Sequence, residues 1–189
     1  MKIKAIFSAM VLCFFMASVM AQKPIPAGYT KATINLANGT VLQGYIKEDL
    51  KKISAVDYID NAGNNKKRYD GGDIISLSTA VGNFICINGD FFRIICAGKL
   101  NFLQKSNNSS NKIFYNGTEP ILNNGTEGKM GDHFIYANNE LRLLNRKNVE
   151  AFINAQLNGY ADAIQKASAL NGDIAKLEAA VESYNIHNK

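Results

Sequence analysis

The chain reads as an α+β protein: a mostly antiparallel, curled sheet or partial barrel followed by two or three C-terminal helices. Three observations predict this. Apolar side chains alternate with period two through short runs from about residue 30 to residue 144. Asn-Gly pairs and related turn residues separate those runs. Near Asn148 the apolar spacing changes to the helical period and keeps it almost to the end.

The first 21 residues stand apart. Lys2 and Lys4 precede an apolar stretch containing Ile6, Phe7, Val11, Leu12, Phe14 and Phe15, and Val19-Met20-Ala21 then places small side chains ahead of Gln22. That is the pattern of an export leader cleaved after Ala21. The apolar core is shorter than the ~20 residues a spanning helix needs. Leu12 before Cys13 does not suit lipid attachment. Residues 22–147 are then expected to form a β-rich domain, with residues 148–189 a helical segment packed on it.

The strands follow in order. Pro24 and Pro26 mark an extended lead-in. Residues 30–37 alternate, with Ala32, Ile34 and Leu36 on one face; Asn38-Gly39 supplies a hairpin turn, and residues 40–47 alternate again. Residues 53–59 turn through 60–65 and pair with 67–69, and Gly71-Gly72 breaks the chain before a short apolar strand at 73–77. Residues 84–97 form a hairpin about Asn88-Gly89-Asp90. Further strands are expected at 99–104, 112–115, 133–137 and 140–144, with Asn138-Asn139 turning the last pair and a flexible Gly-rich loop at 123–131. Some strands do not separate cleanly into two faces, which points to cover on both sides. In the tail, Asn148 is placed to cap a helix, Asn158-Gly159 to weaken or end it, Asn171-Gly172 to close a second, and Asp173 to start a third.

Composition narrows the function. Loss of Lys2 and Lys4 with the leader lowers the formal charge from +5 to +3, too mild to call for nucleic acid, which an exported protein rarely meets. The Lys66-Lys67-Arg68 cluster lies at a hairpin tip, suited to solvent or to an anionic or glycan surface. Cys86 and Cys96 remain in the mature chain. A two-residue turn at Asn88-Gly89 sets Cys86 opposite Phe91 and turns Cys96 to the other face. A three-residue turn leaves them ~13 Å apart, beyond the ~7 Å that a disulfide spans. Two unbonded, buried thiols are expected. Several Asn-x-Ser/Thr triplets occur, three of them Asn-Gly-Thr, which is turn chemistry first.

Side chains for catalysis are few. His133 and the near-terminal His187 are the only histidines. Asp132 beside His133 could orient the imidazole, which makes the pair the candidate for a hydrolase; Asp-His after Gly131 is equally an ordinary transition from loop to strand. Glu119, Glu127 and Asp132 are the acids of the same region. No nucleophile elbow, phosphate-binding loop, calcium loop or zinc spacing is present, so neither cofactor nor metal is expected. Tyr45, Tyr58, Tyr69, Tyr115 and Tyr136 fall in strands, where they line a ligand pocket in a curled sheet or pack beneath the helices.

The rhythm of residues 32–77 (ATINLANGTVLQGYIKEDL to RYDGGDIISLS), the Ala97-Gly98-Lys99-Leu100-Asn101-Phe102-Leu103 segment, the Phe-Ile-Tyr strand and a helical end finishing in Tyr184-Asn185 resemble a group of small exported proteins of Bacteroidetes-type bacteria. That group has a leader, a β-rich body, C-terminal helices and no assigned activity. The resemblance implies a periplasmic or outer-membrane-associated protein, peripheral to the membrane at most. The first sixty mature residues also resemble small SH3-like or Sm-like barrels. Three functions are carried forward: a non-enzymatic binding or structural module of the cell envelope; a lipocalin-like carrier of a small apolar ligand; and a hydrolase using Asp132 and His133. The expected partners are an envelope protein, a glycan or a small apolar ligand.

Intact-mass measurement of the exported chain checks the first steps. The mature chain is expected to begin at Gln22, with a mass that reduction leaves unchanged; a lipid adduct at Cys13 or a mass shift on reduction would contradict them.

Overall fold

The computed structural model describes residues 24–48, 50, 54–108, 112–116, 119–123 and 125–188, with 112–123 described by backbone alone. The leader and the side chains of Tyr115 and Glu119 lie outside the described residues.

Among the described residues, ten strands form one antiparallel sheet and two more form a separate hairpin. In chain order the sheet contains β1 (Thr30–Leu36), β2 (Val41–Glu48), β3 (Ala55–Asp60), β4 (Lys67–Asp70), β5 (Ile74–Thr79), β6 (Gly82–Ile87), β7 (Asp90–Cys96) and β8 (Asn101–Lys105). The hairpin is β9 (Lys112–Asn116) with β10 (Glu119–Asn123), and β11 (His133–Ala137) and β12 (Glu140–Leu144) complete the sheet. Three helices follow: α1 (Val149–Gln156), α2 (Ala161–Ser168) and α3 (Leu177–His187), the last entered through a 3₁₀ turn at Ile174–Lys176. The α+β class and the curled antiparallel sheet expected from sequence are therefore the observed architecture.

The spatial order is β12-β11-β8-β7-β6-β5-β1-β2-β3-β4, and this order forces the curl. In a flat sheet β4 and β5 would lie four strand spacings apart, ~19 Å. Yet only Gly71, Gly72 and Asp73 join them, in a turn closed by Asp73 N–H donating to the Asp70 carbonyl at 2.9 Å. Strands β1–β5 must roll until the two ends meet. The roll encloses Ile34, Ile46, Leu77 and Phe91, each at most 1 % exposed, together with Tyr58 and Tyr69.

Turn chemistry sets the registers. Asn88-Gly89 (φ +51° and +83°) and Asn138-Asn139 (φ +51° and +62°) are two-residue turns whose left-handed backbone matches the twist of the flanking strands. Cys86 accordingly faces Phe91, Cys96 pairs with Phe102, and both thiols are free but half-buried rather than buried as expected, because each lies at the margin of a core cluster. The β1–β2 turn is one residue longer: Leu36 N–H donates to the Thr40 carbonyl at 2.9 Å, and Gly39 takes the left-handed position.

Strands β7, β8 and β11 are covered on both faces. One face sets Phe102 and Ile135 against Leu157, Leu177 and Val181 of the helical layer. The other buries Phe92, Leu103 and Phe134 completely. Gly128, from the loop after β10, lies so close to the Phe134 ring that a Cβ there would stand 2.9 Å from it.

Three details differ from the sequence reading. Strand β10 contains Pro120, which hides a strand from pattern reading. The Gly-rich loop begins only after residue 124, because Asn123 closes β10. Asn148 does not cap α1 with its side chain. It turns back instead, accepting from Asn145 N–H at 2.8 Å and donating to the Leu143 carbonyl at 2.7 Å. Asp173 does cap, accepting from Ala175 N–H at 3.2 Å.

Gly71 sits where the rolled half meets the β6–β7 turn, and a Cβ there would run into the Gly89 carbonyl. Gly71→Ala is expected to lose ~1–3 kcal/mol by overpacking. Gly72→Ala, with open space around its Cα, is expected to change stability little. Urea denaturation midpoints of the two variants check the contrast.

Candidate functional site

The structure disperses the residues that sequence singled out. His133 opens β11, half-buried, its ring stacked on Phe102 at 5.2 Å and 17°. Burial holds its imidazole below the usual range, against the opposing pull of Asp173 and Asp132. The Asp132 carboxylate accepts from Lys129 N–H at 2.7 Å, closing a turn. Among the described residues no hydrogen bond joins Asp132 to His133. Tyr58 and Tyr69 fill the rolled half edge-to-face, at 6.1 Å and 70°. Tyr45 is half-buried beside Lys31 and Ile59 in the register. Tyr136 lies in the other half of the sheet, on the side away from the helices, its hydroxyl donating to Asn139 at 3.2 Å. Among the described residues these four tyrosines do not gather at one site, and none belongs to the core beneath the helices. The two that meet in the helical layer are Tyr160 and Tyr184.

A polar cluster the sequence did not single out is densely connected in the interior formed by the described residues. Asp90 and Lys105 form an ion pair at 3.1 Å with both side chains fully buried. The Asp90 carboxylate also accepts from Thr126 N–H and the Thr126 hydroxyl, both at 2.7 Å, and from the Asn107 amide at 2.7 Å. Lys105 donates to the carbonyls of Thr126 at 2.7 Å and Glu127 at 3.0 Å. Asn107 in turn holds Phe91 N–H at 2.7 Å and reaches the Ser54 hydroxyl at 2.6 Å. Burial works against the Asp90 charge, but the hydrogen bonds from Thr126, Asn107 and Lys105 overcome it and hold the carboxyl below the usual range. An ammonium donating to a carboxylate and to backbone carbonyls is neither a free base nor a nucleophile. The cluster is a bracket.

The signal for it was present in the sequence. Lys105 continues the apolar phase of Leu103, and a lysine in a core position needs a buried partner.

Among the described residues, two concave surfaces lie in the helical layer. A groove of about 470 Å³ runs between α1, α2 and the 3₁₀ turn. Val149, Ile153, Ile164 and Ile174 contribute aliphatic surface, and Arg146 and Glu150 are among its polar residues. A second cleft of about 430 Å³ lies between residues 95–99 and α3, where Cys96 faces Glu178, Glu182 and Asn185. Burial pushes the Cys96 thiol up, and the two glutamates push it further against the Asn185 amide. Burial likewise pushes the Cys86 thiol up. Neither sulfur is poised to attack a substrate.

Among the described residues no group of three or more His, Cys, Asp or Glu side chains is placed to hold a metal. No helix among them is long and apolar enough to cross a membrane. No protein-family model, curated protein or solved structure matches this chain.

The bracket carries a pH signature. Asp90 is lowered from its ordinary value near 3.8, so the unfolded chain binds its proton first as pH falls. The stabilisation is full above ~5 and drains away as pH drops through the folded-state value. Lys105→Met leaves the carboxylate buried without its cation and is expected to cost ~3–5 kcal/mol. Denaturation midpoints between neutral pH and pH ~2 check both: the wild type should lose stability at the acid end, and Lys105→Met should start far lower.

Proposed function

We propose that this protein is an exported, non-enzymatic binding or structural module of the cell envelope, whose binding surface is the aliphatic groove between α1 and α2. The observation that carries the reading is where polarity and concavity fall. The buried Asp90–Lys105 charges are consumed in the bracket, while the groove is walled largely by aliphatic side chains. Walls that are largely aliphatic, with several polar groups among them, suit the binding of a partner or ligand. The leader pattern of residues 1–21 supports export, and the resemblance to small exported proteins supports periplasmic or outer-membrane-associated placement. The bound species is an envelope protein, a glycan or a small apolar ligand.

The carrier reading receives less support, because the rolled half is filled by Ile34, Ile46, Leu77 and Phe91. The hydrolase reading lacks an Asp132–His133 hydrogen bond to activate the imidazole.

Native mass spectrometry of the chain, gently extracted from the envelope, tests the proposal. The expected species begins at Gln22 and carries non-covalent mass that Ile164→Glu, which puts a charge into the groove wall, removes. Three results would overturn it: retention of residues 1–21, indifference of the bound mass to Ile164→Glu, or a hydrolase turnover that His133→Ala abolishes.

A further inference from the structure

We infer that the free edge of β12 pairs with the same strand of a second copy, in one register centred on Leu141. The partner is this chain itself, and the argument is independent of the groove.

Strand β12 ends the sheet, bonded on one side to β11. The two-residue turn at Asn138-Asn139 fixes which backbone groups face outward. Ala137 and Glu140 flank that turn as a directly opposed pair, which in such a hairpin exchanges both backbone hydrogen bonds. Glu140, Arg142 and Leu144 therefore direct N–H and C=O toward β11, and Leu141 and Leu143 direct theirs outward. The Leu143 carbonyl confirms the phase, since it accepts from the Asn148 side chain, beyond the strand, at 2.7 Å. With that carbonyl engaged, Leu141 is the residue whose outward N–H and C=O are placed to accept a partner strand.

A two-fold axis at Leu141 lets the two Leu141 residues exchange both backbone bonds, the short-spaced arrangement of an antiparallel pair. The same register sets Glu140 of each copy opposite Arg142 of the other. Within one chain these two side chains already meet at 3.1 Å while remaining 68 % and 48 % exposed, so they can re-pair across the axis at little cost. On the opposite face of the strand, Leu141 joins its copy and extends the half-buried apolar strip of Tyr136, Leu141 and Leu143. Backbone phase and side-chain charge, two independent features, select one register.

The other edge of the sheet makes the contrast. Strand β4 and its approach carry Lys66, Lys67 and Arg68, all exposed. Self-pairing there sets like charges together, the usual protection of an edge. Strand β12 carries one charge of each sign instead. A five-residue strand pair falls short of the ~1,600 Å² of a standard stable interface, so the dimer is weak, reversible and concentration-dependent.

Sedimentation equilibrium of the mature chain across ~10 µM to ~1 mM tests this. The wild type is expected to move from monomer toward dimer mass. Glu140→Arg alone and Arg142→Glu alone each put like charges opposite one another and are expected to weaken self-association at least ~10-fold. Mixed, the two variants pair Arg with Glu at both positions and are expected to recover the dimer. Leu141→Pro removes the outward N–H while sparing the bonds to β11, and is expected to stay monomeric with an unchanged far-ultraviolet spectrum. A wild type monomeric throughout the range would overturn the proposal. So would single charge variants that associate as the wild type does, or a mixture that fails to recover.

Discussion

The buried pair of Asp90 and Lys105 is the contact on which the rest of the structure depends. Asp90 begins β7 just after the β6–β7 turn, and Lys105 ends β8. Through Thr126 the carboxylate holds the loop that roofs Phe134, and through Asn107 it is tied to Ser54 at the mouth of the rolled half. Ser54 in turn accepts the Gly71 N–H at 3.0 Å, which secures the tight turn between β4 and β5. One ion pair thus joins the two halves of the sheet. Charges this deep survive because their remaining hydrogen-bonding capacity is met by named groups; unmet, each would cost several kcal/mol, roughly the scale of a domain's whole net stability.

That arrangement also shapes what the molecule can do. Its polar groups are mutually satisfied: every buried side-chain nitrogen and oxygen among the described residues has a partner. The sulfurs of Cys86 and Cys96 are held as thiols by burial. Among the described residues, receptive surface includes the groove that the helices form after β12, the cleft beside Cys96 and the edge of β12 itself. The groove has largely aliphatic walls, the edge backbone groups and paired charges.

Much of the fold was legible because its determinants are local. Asn88-Gly89 and Asn138-Asn139 encode left-handed turns in adjacent residues, so the hairpins were legible from sequence, while the choice between a two- and a three-residue turn, and with it the Cys86–Phe91 register, was made by the structure. The helical stripe after Asn148 and the Asp173 cap are equally local. Strand β10 escaped because Pro120 argues against a strand, whereas here it lies in an isolated two-stranded hairpin. Asn148 escaped because its side chain can serve either its own helix or the preceding turn, and the backbone of the β12–α1 corner selected the turn. Of the candidate site residues, His133 and the tyrosines were readable as residue types but not as neighbours. Nothing local told that Tyr58 and Tyr69 would meet while Tyr136 would not.

By itself the sequence determined the α+β class, the leader pattern at the amino terminus and most strand and helix positions, because each rests on residues a few positions apart. Only the tertiary structure decided how the sheet rolls, which strands are covered on both faces and where concave surface remains. It alone showed that Lys105 finds Asp90, Thr126 and Glu127. Those outcomes depend on contacts between residues 15 to 36 positions apart or more. Periodicity specifies that a side chain is buried; it does not specify against what. A lysine in the apolar phase of a strand announces that a partner must exist, and only the folded chain identifies it.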